Sequence, residues 1–185
     1  MPAIEPIPLD ELDPVLRREV DARVAGRTLS STVPVQVWAH RPAAATAWVR
    51  LLAELQERSG LDERLRELVR LRIASYTQCR TCQTGRKSDR VSEDDISCLA
   101  TDDSRFTPRE QAALRYADVF AVDHQAVDDD SYRALAEHFA VAEIVELQMF
   151  CALMLAGGRL AYVQRAWADD DLPPVLTAAH RHQEA

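Results

Sequence analysis

The stretch DERLRELVRLRIASYTQCRTC, residues 62–82, decides the fold. Leu65, Leu68, Val69, Leu71 and Ile73 recur at helical spacing and form an apolar stripe, with the arginines largely on other faces. The pattern predicts a helix from about Asp62 to Tyr76, a break at Thr77 and Gln78, and a new helix from about Cys79 to Arg90. Cys79 and Cys82 then stand at i and i+3, on one helix face and close enough to bridge with modest adjustment. Unpaired N–H groups at a helix N-terminus favour thiolate, the reactive form of cysteine. The pair therefore reads as a thiol–disulfide site. It can attack a peroxide or a disulfide and then close on itself, which protects against overoxidation.

Outward from this stretch the pattern stays helical, which makes the chain all-α. Helices are predicted over about 13–25, 42–58, 129–139 and 142–167, the last with Gly157 and Gly158 as a weak point. Ser92 followed by Glu93, Asp94 and Asp95 reads as the cap of a short helix. Thr107, Pro108 and Glu110 form a capping box for a helix reaching about Val122. Only Thr32–Val37 looks extended, and Pro34 makes it a poor strand. The organisation expected is an arm and first helix over 1–41, a helical domain over 42–168 and a loosely held acidic tail over 169–185. Glu67–Leu71 aligns with Glu146–Phe150, a hint of a degenerate internal two-fold repeat in which Cys79 and Arg80 fall opposite Gly158 and Arg159.

The 185 residues are 47% apolar, enough for a core without staples. The longest apolar run, Leu147–Ala156, is shorter than the roughly 20 residues that span a bilayer. No basic segment followed by an apolar one opens the chain, so a soluble cytoplasmic protein is expected. A net charge of -8 argues against nucleic-acid binding. Yet residues 64–90 hold eight cations against only Glu67 and Asp89. These are either ion-paired helix faces or a local positive field around the cysteines. Cys98 and Cys151 read as structural, Cys151 as a small buried hydrophobe. Structural zinc needs four ligands, and with no second CxxC and no HxxxH neither a metal nor another cofactor is expected. Trp38, Trp48 and Trp167 read as core or subunit-interface anchors, and His138 as a cap or surface residue.

Glu67, the run from Glu67 to Ser75, and Cys79-x-x-Cys82 resemble the alkylhydroperoxidase D-like branch of the carboxymuconolactone decarboxylase family. Thr107–Ala117 and Glu143–Leu147 are similar to later segments of that family, and the resemblance covers about Leu51 to Trp167. It implies an alkylhydroperoxidase D-like helical bundle, assembly into trimers or multiples of trimers, and reduction of hydroperoxides or electron transfer to a partner. By the resemblance Cys82 is the attacking thiol, Cys79 resolves, and Glu67 receives or directs the thiol proton. The helix-terminus argument instead favours Cys79 as the more acidic, so the order stays open. Glu67 has an alternative place, on an exposed face paired with Arg70 or Arg64. The family's relay histidine, four residues after the second cysteine, is Arg86 here, and the histidine that some members carry before it is Thr81. Arginine cannot shuttle a proton. Arg86 and Arg80 are thus expected to stabilise thiolate or bind substrate, with Arg86 alternatively paired to Glu67.

One function is expected, with two alternatives to it. The expected one is a thiol peroxidase or disulfide reductase that takes a hydroperoxide or disulfide and an external thiol reductant. The first alternative is a decarboxylase-like acid–base enzyme whose basic cluster binds a carboxylate. The second is a non-enzymatic oligomer that responds to redox state.

Overall fold

Asp13 begins the first helix by local chemistry. Its carboxylate accepts the N–H groups of Val15 and Leu16, and Pro14 fills the first helical position. The helix α1 (Pro14–Ala25) is followed by α2 (Val33–Trp38) and α3 (Pro42–Glu57). The computed structural model describes residues 2–100, 103–167 and 177, and its other helices are α4 (Glu63–Thr77), α5 (Arg80–Thr84), α6 (Glu93–Cys98), α7 (Pro108–Val122), α8 (Asp129–Ala136) and α9 (Val141–Val163). The described residues contain no β-strand. The predicted tail over 169–185 lies outside them except for Thr177.

Two segments differ from expectation. Thr32–Val37 is helical rather than extended, because Pro34 sits in the first turn, where its missing N–H costs nothing, and Val35 and Val37 are buried. The helix expected from Cys79 to Arg90 stops at Thr84. Gly85 is extended there (φ -69°, ψ 127°), and tertiary partners take up the backbone groups that would have continued the helix.

The chain forms two compact units, one made of Met1–Glu57 with the chain from Arg159 onward, the other of Arg58–Gly158. In the first, Leu16, Val20, Val35 and Val49 make the core. The indole rings of Trp38 and Trp48 lie 5.4 Å apart, and Trp38 Nε1 donates to Gln164 at 2.8 Å.

In the second unit α4 lies against α7. Leu68, Leu71, Val91, Leu99, Phe106 and Leu114 form a shared core. The predicted capping box of Thr107 with Glu110 is present, and the predicted Ser92 cap is itself a box, closed by Asp95. Arg64 binds the two boxes together, donating to Glu110 at 2.8 Å and to Asp95 at 2.9 Å. Its guanidinium holds the Asp95 carboxyl well below the usual aspartate range. Acid therefore protonates the unfolded chain first. This contribution to stability is full above about pH 5 and falls away as the pH drops below about 4. Asp95→Asn is expected to cost about 2 kcal/mol at neutral pH and to flatten the acid limb of stability. Urea unfolding at pH 7 and at pH 3.5 checks both parts.

Helix α9 passes straight through Gly157 and Gly158. By length and hydropathy it could cross a membrane, which the ten-residue run in the sequence did not suggest. Ile144, Leu147, Phe150, Cys151 and Leu153 are nevertheless buried, Glu143 pairs with Arg109 at 2.7 Å, and Glu146 accepts the Gly60 N–H at 3.0 Å. These contacts tie one face of the helix into the protein, while Val141, Val145, Met149 and Val163 lie exposed on the other side. Gly158 is required by close approach. A methyl group there would lie 2.8 Å from Cβ and 2.9 Å from Cγ2 of Thr77, the last residue of α4. Gly158→Ala is expected to lose about 2 kcal/mol through overpacking, despite the gain in helix propensity. Gly157→Ala, one position earlier, serves as the control in thermal unfolding.

Candidate functional site

Thr77 ends α4, and Gln78 turns the chain with φ 52° in the left-handed region. This reversal delivers Cys79 as the cap of α5 instead of its first residue, and its Sγ accepts the Cys82 N–H at 3.3 Å. Cys79 and Cys82 are joined as a disulfide with their Cα atoms 5.2 Å apart. Cys79 is only 2% exposed, whereas Cys82 is half-buried. The accessible member of the pair is therefore the one that the family resemblance names as attacking.

Glu67 is not on an exposed face. It is 2% exposed and Arg70 is 5% exposed. Arg70 Nε and Nη2 grip the two carboxylate oxygens at 2.7 Å each. The guanidinium then reaches α5, donating to the carbonyl of Cys82 through Nη1 and to that of Gly85 through Nη2, both at 2.6 Å. Glu67 Oε1 also accepts the Lys87 N–H at 3.0 Å. These bonds explain why α5 is short, since its carbonyls point at Arg70 rather than along a longer helix. They also give Glu67 a set of partners that a free proton carrier would lack. In the sequence Arg70 stands out only as a possible mate for Glu67. The available signal was a charged i,i+3 pair interrupting the stripe of Leu68 and Leu71.

Arg86 stands elsewhere than expected. It pairs with Glu93 at 3.0 Å and donates to the Gln83 carbonyl at 2.5 Å, joining the end of α5 to the start of α6. Glu67 is paired with Arg70, not with Arg86. The hydrogen bonds that Arg86 donates to Glu93 raise the pKa of its guanidinium, so it remains a fixed cation. Arg80 follows Cys79 on the exposed side of α5.

The concentration of cations over 64–90 is largely met by carboxylates. Arg64 faces Asp95 and Glu110, Arg70 faces Glu67, Arg72 faces Asp118, and Arg90 faces Glu63 at 3.6 Å. The ion-paired reading accounts for these residues better than a local positive field. Burial raises the pKa of the Cys151 thiol, which keeps it an inert part of the core. Cys98 is partly exposed and free. Beside α5 a recess of about 280 Å³ is walled by Leu71, Ile96 and Leu99, with Arg72, Ser75 and Gln83 at its polar side.

The architecture is the all-helical fold of alkylhydroperoxidase D-like proteins. A peroxidase-related protein with such a core from Ralstonia eutropha JMP134 superposes with a TM-score of 0.71 at 20% identity, over 91% of this chain and 93% of that one. ATU0492 from Agrobacterium tumefaciens, a protein of unknown function, gives 0.62 at 24% identity, over 70% and 93%. Residues 42–119 match the carboxymuconolactone decarboxylase family. The uncharacterized protein YnjA of Escherichia coli K12 is 30% identical over 162 residues, 82% of this chain and 87% of that protein. The chain belongs to the carboxymuconolactone decarboxylase family. Membership of that family is compatible with enzyme activity.

Proposed function

We propose that the chain is a thiol–disulfide oxidoreductase working through Cys79 and Cys82. The observation that carries this reading is the asymmetric disulfide, with Cys82 accessible and Cys79 buried against a backbone N–H. In the oxidising half, the Cys82 thiolate attacks the outer oxygen of a hydroperoxide. It becomes a sulfenic acid, and the alcohol leaves. The Cys79 thiolate then attacks the Cys82 sulfur and expels water once a proton is supplied, forming the disulfide. In the reducing half, one thiolate of an external dithiol attacks Cys82, and Cys79 departs as a thiolate that the Cys82 N–H stabilises; the second thiol of the dithiol then displaces Cys82 and leaves as the reductant's own disulfide. This assignment reconciles the two sequence arguments. The more accessible thiol meets substrate, and the buried one is the better-stabilised leaving group.

Glu67 enters as the countercharge that fixes Arg70, and Arg86 as a tie between α5 and α6. Neither replaces the family's histidine as a proton shuttle, so proton delivery falls to solvent at the accessible side. The apolar wall of the recess beside α5 favours a small apolar hydroperoxide or disulfide as substrate. A carboxylate substrate is disfavoured there, because Arg72 is already held by Asp118 at 2.8 Å and by the Leu99 carbonyl at 2.9 Å. A reducing compartment such as the cytoplasm suits a transient disulfide. Association with further copies is part of the reading, supported by the exposed stripe of Val141, Val145 and Met149 on α9.

Cys82→Ser is expected to abolish peroxide-dependent oxidation of dithiothreitol. Wild-type rates in that variant would sink the proposal.

A further inference from the structure

Arg70 does more at this site than neutralise Glu67. Its guanidinium has two sides in use. One forks onto the Glu67 carboxylate, and the other supplies a hydrogen bond to Cys82 O and to Gly85 O. Glu67 in turn holds the next backbone donor, Lys87 N. Three backbone groups between residues 82 and 87 are thus fixed to one ion pair on α4, and the pair is almost fully buried. A five-residue helix such as α5 does not hold its shape by its own hydrogen bonds, because nucleating a helical turn is unfavourable and short helices rest on tertiary contacts. The backbone that carries the Cys82 sulfur is therefore set by Arg70.

We propose that Arg70 is a positioning residue for the redox couple and that the Glu67–Arg70 pair sets the stability of the Cys79–Cys82 disulfide. The inference rests on the reading of these cysteines as a reversible couple. Its physical basis is effective concentration. In the oxidised chain the S–S bond itself keeps Cys82 near Cys79. In the dithiol only the backbone does so, and that backbone is tethered at Cys82 O, Gly85 O and Lys87 N. Releasing the tether lets residues 82–87 explore more conformations in the dithiol than in the disulfide. The two thiols then meet less often, and the equilibrium shifts toward the reduced form. Lysine is the informative replacement, since it keeps the charge and loses the planar fork that engages carboxylate and carbonyls together.

The reaction to follow is protein disulfide plus reduced dithiothreitol giving protein dithiol plus oxidised dithiothreitol. Two electrons and two protons pass from one dithiol to the other disulfide. The equilibrium is read by thiol trapping across a range of reduced-to-oxidised ratios, on the wild type, Arg70→Lys, and the double variant Glu67→Gln with Arg70→Gln. The double variant removes both charges together and leaves no unpaired ion in the core, so it keeps the test alive if Arg70→Lys does not fold. Near-ultraviolet circular dichroism confirms the fold of each. The folded variants are expected to be easier to reduce by roughly tenfold in the equilibrium constant, a rise of about 30 mV in potential. A wild type that cycles, with folded variants within twofold of its constant, overturns the positioning role and leaves the proposed function standing. A wild type whose disulfide does not re-form after reduction overturns both.

Discussion

Cys79→Ser is expected to stop catalysis after one half-reaction while leaving Cys82 reactive. Cys82 is the more accessible of the two and would still attack peroxide. The sulfenic acid so formed would then lack the thiolate poised three residues away. Intramolecular attack by a well-placed group is worth many orders of magnitude in effective molarity. Steady-state oxidation of dithiothreitol by peroxide should therefore fall on the order of 100-fold or more. Mass spectrometry should find Cys82 as sulfenic acid or, at high peroxide, as sulfinic acid. Cys82→Ser should behave differently, with no peroxide consumption and with Cys79 unmodified for lack of access. If the two serine variants were equally inert toward peroxide, the proposed division of roles would be wrong.

The largest effect on stability is expected at Glu67. Glu67→Ala would strand the Arg70 guanidinium in a site where both side chains are almost wholly buried. Breaking a buried pair by removing one partner costs about 3–5 kcal/mol, against a total of about 5–15 kcal/mol for an ordinary domain. The bond to Lys87 N would go with it, so the turn after α5 loses an anchor as well. The urea midpoint of Glu67→Ala should fall steeply with little change in slope. Glu67→Gln keeps the shape and one acceptor oxygen and should cost less. A loss under about 1 kcal/mol in Glu67→Ala would mean that the pair is hydrated and contributes no more than a surface salt bridge.

Much of this molecule was legible in the sequence because its causes are local. Helical periodicity set α4 and α7, and Asp62 and Thr107 cap them with their own side chains. The Ser92 box and the break at Gln78 are likewise decided within four or five residues. The i,i+3 spacing of Cys79 and Cys82 was enough to foresee the disulfide. The residues that failed are those whose state depends on distant partners. Thr32–Val37 reads as extended by composition, yet burial of Val35 and Val37 makes it a helical turn. The sequence reading offered Glu67 as a partner for Arg86, and only the folded chain shows Glu93 taking it instead.

The sequence by itself determined that Cys79 and Cys82 stand at the start of a helix in an all-α chain, since helical spacing and capping depend on near neighbours. Tertiary structure alone decided how that helix ends and which thiol is reachable. Burial of Cys79, and the grip of Arg70 on Cys82 O and Gly85 O, need α4 packed beneath α5. Burial and buried ion pairs are properties of surfaces that meet only after folding, and no window of neighbouring residues contains both sides of them.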